Sequence, residues 1–210
     1  GNERGNVLGV PFINFLAPGL IAMQIIQQAF SHSSSSLLMG KIMGNIVDMI
    51  AAPLSPGEVT ISIIFASITR ALMIAIASII VFSFLIDIEI NNILYIIIYI
   101  FLSSFILGAA GFIAGLWAEK FDHMATVTNF FIVPLSFLSG TFYSVDKLPN
   151  FLQLISKFNP FFYMIDGFRY GFIGNSDGSI TFGLIYLSLL CIITWFVSYI
   201  LYKKGYKIKS

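Results

Sequence analysis

The sequence contains a single cysteine, Cys191, two histidines, and charged residues at only 10% of positions. One cysteine excludes an internal disulfide and any cysteine-based zinc cluster, and it leaves the redox compartment unread. His32 and His123 fall in separate stretches, and neither sits in an HExxH pattern or at a spacing that pairs with a carboxylate. No GxxxxGK[ST] run could cradle nucleotide phosphates, and no GxSxG element or Ser–His–Asp order suggests a hydrolase. Two carboxylates at glycosidase-like or metal-binding spacing are also missing. These absences argue against chemistry within the chain, so no catalytic, cofactor-binding or metal-binding residue is expected. Soluble domains carry roughly 25% charged residues, well above the share found here. The deficit leaves membrane insertion as the broad class.

What is abundant agrees. Hydrophobic residues make up 58% of the chain, and its mean hydropathy is +0.92. The expected fold is an all-α polytopic membrane protein with about five transmembrane helices, the whole of 1–210 forming one transmembrane domain. After a short polar lead (Asn2, Glu3, Arg4, Asn6), residues 11–30 carry no charge and are long enough to cross a hydrocarbon core of ~30 Å. Pro18 and Gly19 are expected to kink this span, and Gln24, Gln27 and Gln28 favour a protein-facing or interfacial side. Further spans are read at 59–86, 93–117, 124–140 and 180–202. The second contains Arg70, which costs about 2.5–3.5 kcal/mol at a helix centre, while each Leu, Ile, Phe or Val returns about 0.3–0.6 kcal/mol. Insertion still wins, with Arg70 either snorkelling to an interface or lining a path between helices. In the third span Gly111-Phe-Ile-Ala-Gly115 is a GxxxG, which allows close helix approach and is read as packing.

Between the first two spans lies a serine run, Ser33–Ser36, then LLMGKIMGNIVDMIAAPLSPGE. On a helical wheel Lys41, Asn45 and Asp48 share one narrow face opposite Ile, Val and Met. A short amphipathic helix over 37–52 is therefore expected, ended by Pro53, Pro56 and Gly57. It either lies on the membrane surface or presents its polar tip to a soluble partner, two readings that sequence alone does not separate.

The most distinctive stretch runs from Pro134 to Gly174. Proline and glycine interrupt it repeatedly, and ten aromatics fall between Phe142 and Phe172. It is too apolar for an ordinary loop and too broken for one span. The expectation is the end of a span followed by two short re-entrant helices within 148–173, covered by protein or lining a water-filled cavity. Asp166 and Arg169 stand three apart with Tyr170 four from Asp166, a spacing that suits a structural ion pair or a polar contact in a substrate path. Charge placement orients the chain. With Lys203, Lys204, Lys207 and Lys209 inside, Lys41 and Lys120 join them, leaving Arg4, Lys147, Lys157 and Arg169 outside. The C-terminus is thus expected to be cytoplasmic. Five spans then place the N-terminus outside, and with Gly1 rather than Met at the start, a missing first segment is expected.

Three motifs carry a family resemblance over essentially the whole chain. FLSGTFYSVDKLPNFLQLISKFNPFFYMIDGFRYGFIG resembles the C-terminal signature of type-2 ABC exporter permeases. FLAPGLIAM at Phe15–Met23 and SSSLLMGKIMGNIVDMIAAPLSPGE at Ser34–Glu58 resemble that family's second span and the loop after it. Val145 stands near a position where proline is frequent. The resemblance implies a bacterial inner-membrane permease, lacking the family's N-terminal amphipathic helix and first span. It implies a homodimer, each half docked on a separate ATP-binding subunit that binds the ATP, with lipid but no nucleic acid as further partner. It makes 37–52 a coupling helix with Lys41, Asn45 and Asp48 facing the ATPase. It also makes 148–173 an outer gate that includes Phe161, Asp166, Arg169 and Tyr170. The implied cargo is a drug-like, lipid or glycan compound. An ion-gradient-driven transporter or channel is the alternative, disfavoured because only Arg70 is charged within a span.

Overall fold

The computed structural model describes residues 6–207. Asn2, Glu3, Arg4 and Lys209, all used above, lie outside this range. Among the described residues the regular structure is helical apart from a two-stranded hairpin, β1 (Asn6–Val7) and β2 (Val10–Pro11), turned by Leu8 and Gly9 at positive φ. Five helical segments among the described residues are long and apolar enough to cross a membrane: Phe12–Ile42, Pro56–Ser83, Ile93–Trp117, Phe121–Thr141 and Ile180–Lys203. The first three are single helices, α1, α3 and α4, and the last is α9.

The fourth segment is composite. Helix α5 (Phe121–Val127) passes into a π-helical stretch, Thr128–Ile132, then α6 (Val133–Ser136), then a second π-helical stretch, Phe137–Thr141. Pro134 sits at the start of α6 and brings no N–H to the ladder, a local reason for the irregular winding. Ser136 and Thr141 hydroxyls bond back to the Ile132 and Ser136 carbonyls at 2.7 and 2.6 Å. Side chains thereby take up acceptors that a broken helix would leave bare. The segment ends where Ser139 leaves helical geometry and Gly140 adopts φ 81°.

Helix α4 is the hub, packed against α1, α3, α8 (Pro160–Ile173) and α9. Its small residues set how closely the others approach. A Cβ on Gly111 would overlap the Phe30 carbonyl of α1, and one on Gly115 would lie 2.8 Å from the Ser34 carbonyl oxygen. Gly111 and Gly115 therefore pack this chain's own α1 onto α4.

The region between the first two spans differs from its expectation. Helix α1 does not end at Phe30 but continues through the serine run to Ile42. Ser33 and Ser34 are buried, and the Ser34 hydroxyl donates to the Phe30 carbonyl at 2.8 Å, so Ser34 stays compatible with the helix. Residues 37–52 consequently do not form one helix. Gly44, at φ 80°, breaks them into the end of α1 and a short α2 (Ile46–Ala51). Pro56 does not terminate that stretch but starts α3, behind a capping box. Ser55 Oγ accepts from the Glu58 N–H at 3.3 Å, and Glu58 accepts from the Ser55 N–H at 2.7 Å.

Gly111→Leu should separate α1 from α4. Overpacking a close contact costs about 1–3 kcal/mol, so the variant is expected to melt at lower temperature in detergent than the wild type. An unchanged melt would show that the two helices do not need this approach.

Candidate functional site

Two constellations occupy opposite ends of the bundle. At the end carrying the hairpin, α8 lies buried against α4, with α7 (Asn150–Phe158) in front of it. The start of α8 is fixed by Asn159, whose side-chain oxygen accepts from the Phe161 N–H at 3.1 Å while its amide donates to Ser139 Oγ at 2.8 Å. Gly167 and Gly171, one turn apart, face α4 so closely that a Cβ would overlap the Tyr99 ring and Ile96 respectively. Phe161 is buried, and Tyr170 meets Tyr95 edge-on with ring centres 5.0 Å apart. Helix α7 differs from α8. Phe151, Leu154, Ile155 and Phe158 are exposed, and Gln153 turns back to donate to the Leu148 carbonyl at 2.9 Å.

Asp166 and Arg169 are both buried but serve different partners. Asp166 accepts from the backbone N–H groups of Asp177 and Gly178, each at 2.9 Å, and so pins the turn between α8 and α9. Asp177 in turn accepts from Ser144 Oγ at 2.6 Å and the Val145 N–H at 3.0 Å, tying that turn to the end of the broken span. Arg169 reaches the other way. Its Nη2 donates to the Gly140 carbonyl at 2.8 Å, and its guanidinium lies 3.8 Å from the centre of the Phe15 ring on α1. Gly19 of α1 leaves the room, since a Cβ there would stand 2.9 Å from Arg169 Nη2. The ion pair suggested by the i, i+3 spacing is not formed, because each charge is taken up by backbone groups of a different segment.

At the opposite end, Lys41 points inward. Its Nζ donates to the Leu116 and Ala118 carbonyls, both at 2.8 Å, which caps the C-terminus of α4 where free carbonyls favour a cation. Asn45 and Asp48 are exposed on the Gly44 turn and α2. Around them Ile42, Met43, Val47 and Ile50 are also exposed. Grooves of ≈ 430 Å³ and ≈ 440 Å³ flank α2, one towards Tyr202 and Lys203 and the other towards Ser36 and Gly40. α2 therefore stands as a ridge. Nearby, Lys207 pairs with Glu119 at 3.0 Å, which holds that carboxyl below the usual range through the hydrogen bond and the positive charge. Stability from this pair is present above the unfolded carboxyl pKa and fades as pH falls through the lowered one.

Sequence reasoning did not find Gly140, Phe15, Asp177 or Tyr99 as partners of this region. Each contact spans a large separation along the chain and leaves no local pattern. It also missed the approach of Arg70 Nη1 to His32 Nδ1 at 3.3 Å, because the span expected at 11–30 stops short of His32.

Residues 4–173 match the family model described as ABC-2 type transporter. The chain is 31% identical over 199 residues to the inner membrane transport permease YadH of Escherichia coli K12, covering 93% of this chain and 78% of the relative. It is 25% identical over 205 residues to nodulation protein J of Neorhizobium galegae, covering 97% and 78%. Against nodulation protein J of Sinorhizobium fredii it is 22% identical over 199 residues, covering 94% and 76%.

Arg169→Lys keeps a charge but loses the planar group that stacks on Phe15 and reaches Gly140. A hydrogen bond from a charged group contributes about 1.5–3 kcal/mol, and a loss of that order is expected in the unfolding free energy. Amide exchange should also quicken at residues 140–142. Wild-type exchange there would show that the bond does not hold the break.

Proposed function

This chain belongs to the ABC-2 type transporter family of membrane subunits, and on that premise we propose that it is the permease of an ATP-driven exporter, coupled through α2 to a separate ATP-binding subunit. The observation that carries the coupling is the ridge at the Lys41 end. A short helix bearing Asp48, preceded by Asn45, projects between two grooves and exposes apolar side chains together with an acid. Contiguous exposed apolar surface edged by polar groups marks docking surfaces. The coupling contacts are assigned to Asn45 and Asp48 directly. Lys41 acts through the carbonyls of α4, which join the ridge to the hub helix.

The membrane part is a multi-pass inner-membrane domain, in keeping with the name of the YadH relative. Its C-terminus is placed in the cytoplasm, on the side of Lys203, Lys204 and Lys207. The domain works as a homodimer, with α7 and α8 over the outer end of the path and Phe161, Asp166, Arg169 and Tyr170 within that gate. ATP binding would draw the ATP-binding subunits together, displace α2 and rearrange the spans, a two-state change in which the permease carries out no chemistry. The cargo is a drug-like, lipid or glycan compound.

The test is co-purification of the full-length permease with the candidate ATP-binding subunit in detergent. Setting like charges against each other across an interface costs several kcal/mol, about a hundredfold or more in affinity, so Asp48→Lys is expected to lose the complex and its permease-dependent ATP hydrolysis. A complex unchanged by Asp48→Lys would remove α2 as the contact. No association with any ATP-binding subunit would sink the exporter reading.

A further inference from the structure

Extended to Ile42, helix α1 shows a pattern that its expected end at Phe30 concealed. From Gln24 to Ser35, at 100° per residue, Gln24, Gln28, Ser31 and Ser35 fall on one line, with Gln27 and His32 on its two flanks. No apolar side chain enters that arc over three turns. None of the four residues on the line is buried. The Gln27 amide nitrogen on the flank is enclosed without a hydrogen-bond partner among the described residues. The outward face of α9, by contrast, is apolar, with Ile185, Leu189, Ile192 and Phe196 exposed.

Against this polar strip stands a cation. Arg70 is exposed near the middle of α3, with roughly 20 Å of helix rise on either side. Its guanidinium meets the His32 ring at 3.3 Å. Among the described residues the only ion pair is Lys207–Glu119, so no carboxylate neutralises Arg70. A charge at this depth faces protein or a water-filled cavity rather than lipid tails. Since a guanidinium only donates, His32 Nδ1 accepts from Arg70 Nη1, and a guanidinium so held, with amide and hydroxyl donors beside it, has the chemistry to hold an anion.

We propose that Arg70 and His32, with the polar strip Gln24–Ser35 of α1, form a mid-membrane site for the oxyanion, phosphate or carboxylate, of an amphiphilic cargo. The site rests on the permease reading and narrows its substrate class to compounds that carry a negative head on an apolar body. Arg70 supplies the fixed charge, since guanidinium stays protonated and matches a planar pair of oxygens. His32 orients the guanidinium, and the amides and hydroxyls of the strip bind neighbouring polar groups of the head.

The test uses the full-length permease in phosphatidylcholine nanodiscs without its ATP-binding subunit, so that failure of coupling cannot mimic failure of the site. Dodecyl phosphate is titrated by calorimetry, with dodecyltrimethylammonium and inorganic phosphate as comparisons. Saturable binding of dodecyl phosphate alone is expected, weakened about tenfold or more by Arg70→Gln, consistent with loss of a charge-assisted pair, and less by Arg70→Lys. Ile192→Leu on the outer face of α9 should bind as wild type does. Equal binding by Arg70→Gln, or equal affinity for bare phosphate or for the cationic amphiphile, would overturn the proposal. A loss of dodecyl phosphate affinity in phosphatidylglycerol nanodiscs that Arg70→Gln abolishes would support the site and identify an anionic lipid headgroup as one source of the oxyanion. A change of oligomeric state in Arg70→Gln would overturn the proposal as well, by showing that Arg70 serves a contact between copies of the chain.

Discussion

The bond from Arg169 to the Gly140 carbonyl is the constraint on which the hairpin end depends. A segment crossing apolar surroundings must satisfy its own backbone, and a break leaves acceptors that no water reaches. Here the break at Ser139–Gly140 is answered by a charge carried on another helix. That charge could not be buried alone, so it needs the Gly140 oxygen and the Phe15 face as much as they need it. The requirement spreads outwards. Arg169 can reach only because Gly19 leaves space on α1, and α8 can sit where it does only because Gly167 and Gly171 let it lie against α4. Asp166, one turn earlier on α8, fixes the following turn by two backbone bonds, and that turn returns to Ser144 and Val145. Helix α8 is held through two charges that share no bond with each other.

This pairing of charges with backbone also marks the limit of what could be read in advance. Composition and hydropathy suffice for five spans, because a lipid-facing helix announces itself by length and lack of charge. The irregular end of the fourth span was legible in Pro134 and Gly140, whose restrictions act locally. The partners of Arg169 were not, because an i, i+3 acid is the obvious mate on a helix and nothing near Arg169 in sequence points to Gly140 or Phe15. Gly111 and Gly115 were legible as a site of close approach, whereas the identity of the approaching helix was not.

The error at α1 is instructive for a physical reason. Four consecutive serines look like a linker, since serine hydroxyls compete for backbone groups and favour turns in water. In a packed apolar bundle the same hydroxyl bonds to the carbonyl one turn back and the helix goes on, as Ser34 does to Phe30. Small serines at Ser33 and Ser34 also suit a surface where α4 comes close, for Gly115 lies under the Ser34 carbonyl. A motif that breaks helices in solution thus extends one here. The break falls instead at Gly44, which takes up the positive φ of the turn while its N–H donates to the Lys41 carbonyl at 3.2 Å.

One long helix then connects every part of the molecule to which a role is assigned. With 31 residues, α1 runs about 46 Å at 1.5 Å per residue. Its first turns lie under Arg169 through Phe15 and Gly19, its middle carries the polar strip beside Arg70, and its last turn ties Lys41 to the end of α4. A shift of α2 in the proposed coupling cycle meets the Gly44 turn before it meets α1. Motion passes on only so far as Lys41 and the capped end of α4 resist it. Those two hydrogen bonds join α1 to the hub at the very end where α2 projects. A displacement at α2 would therefore reach the strip and the Arg169 clasp as a tilt of the α1–α4 pair, because a bend within α1 would have to open the close contacts at Gly111 and Gly115.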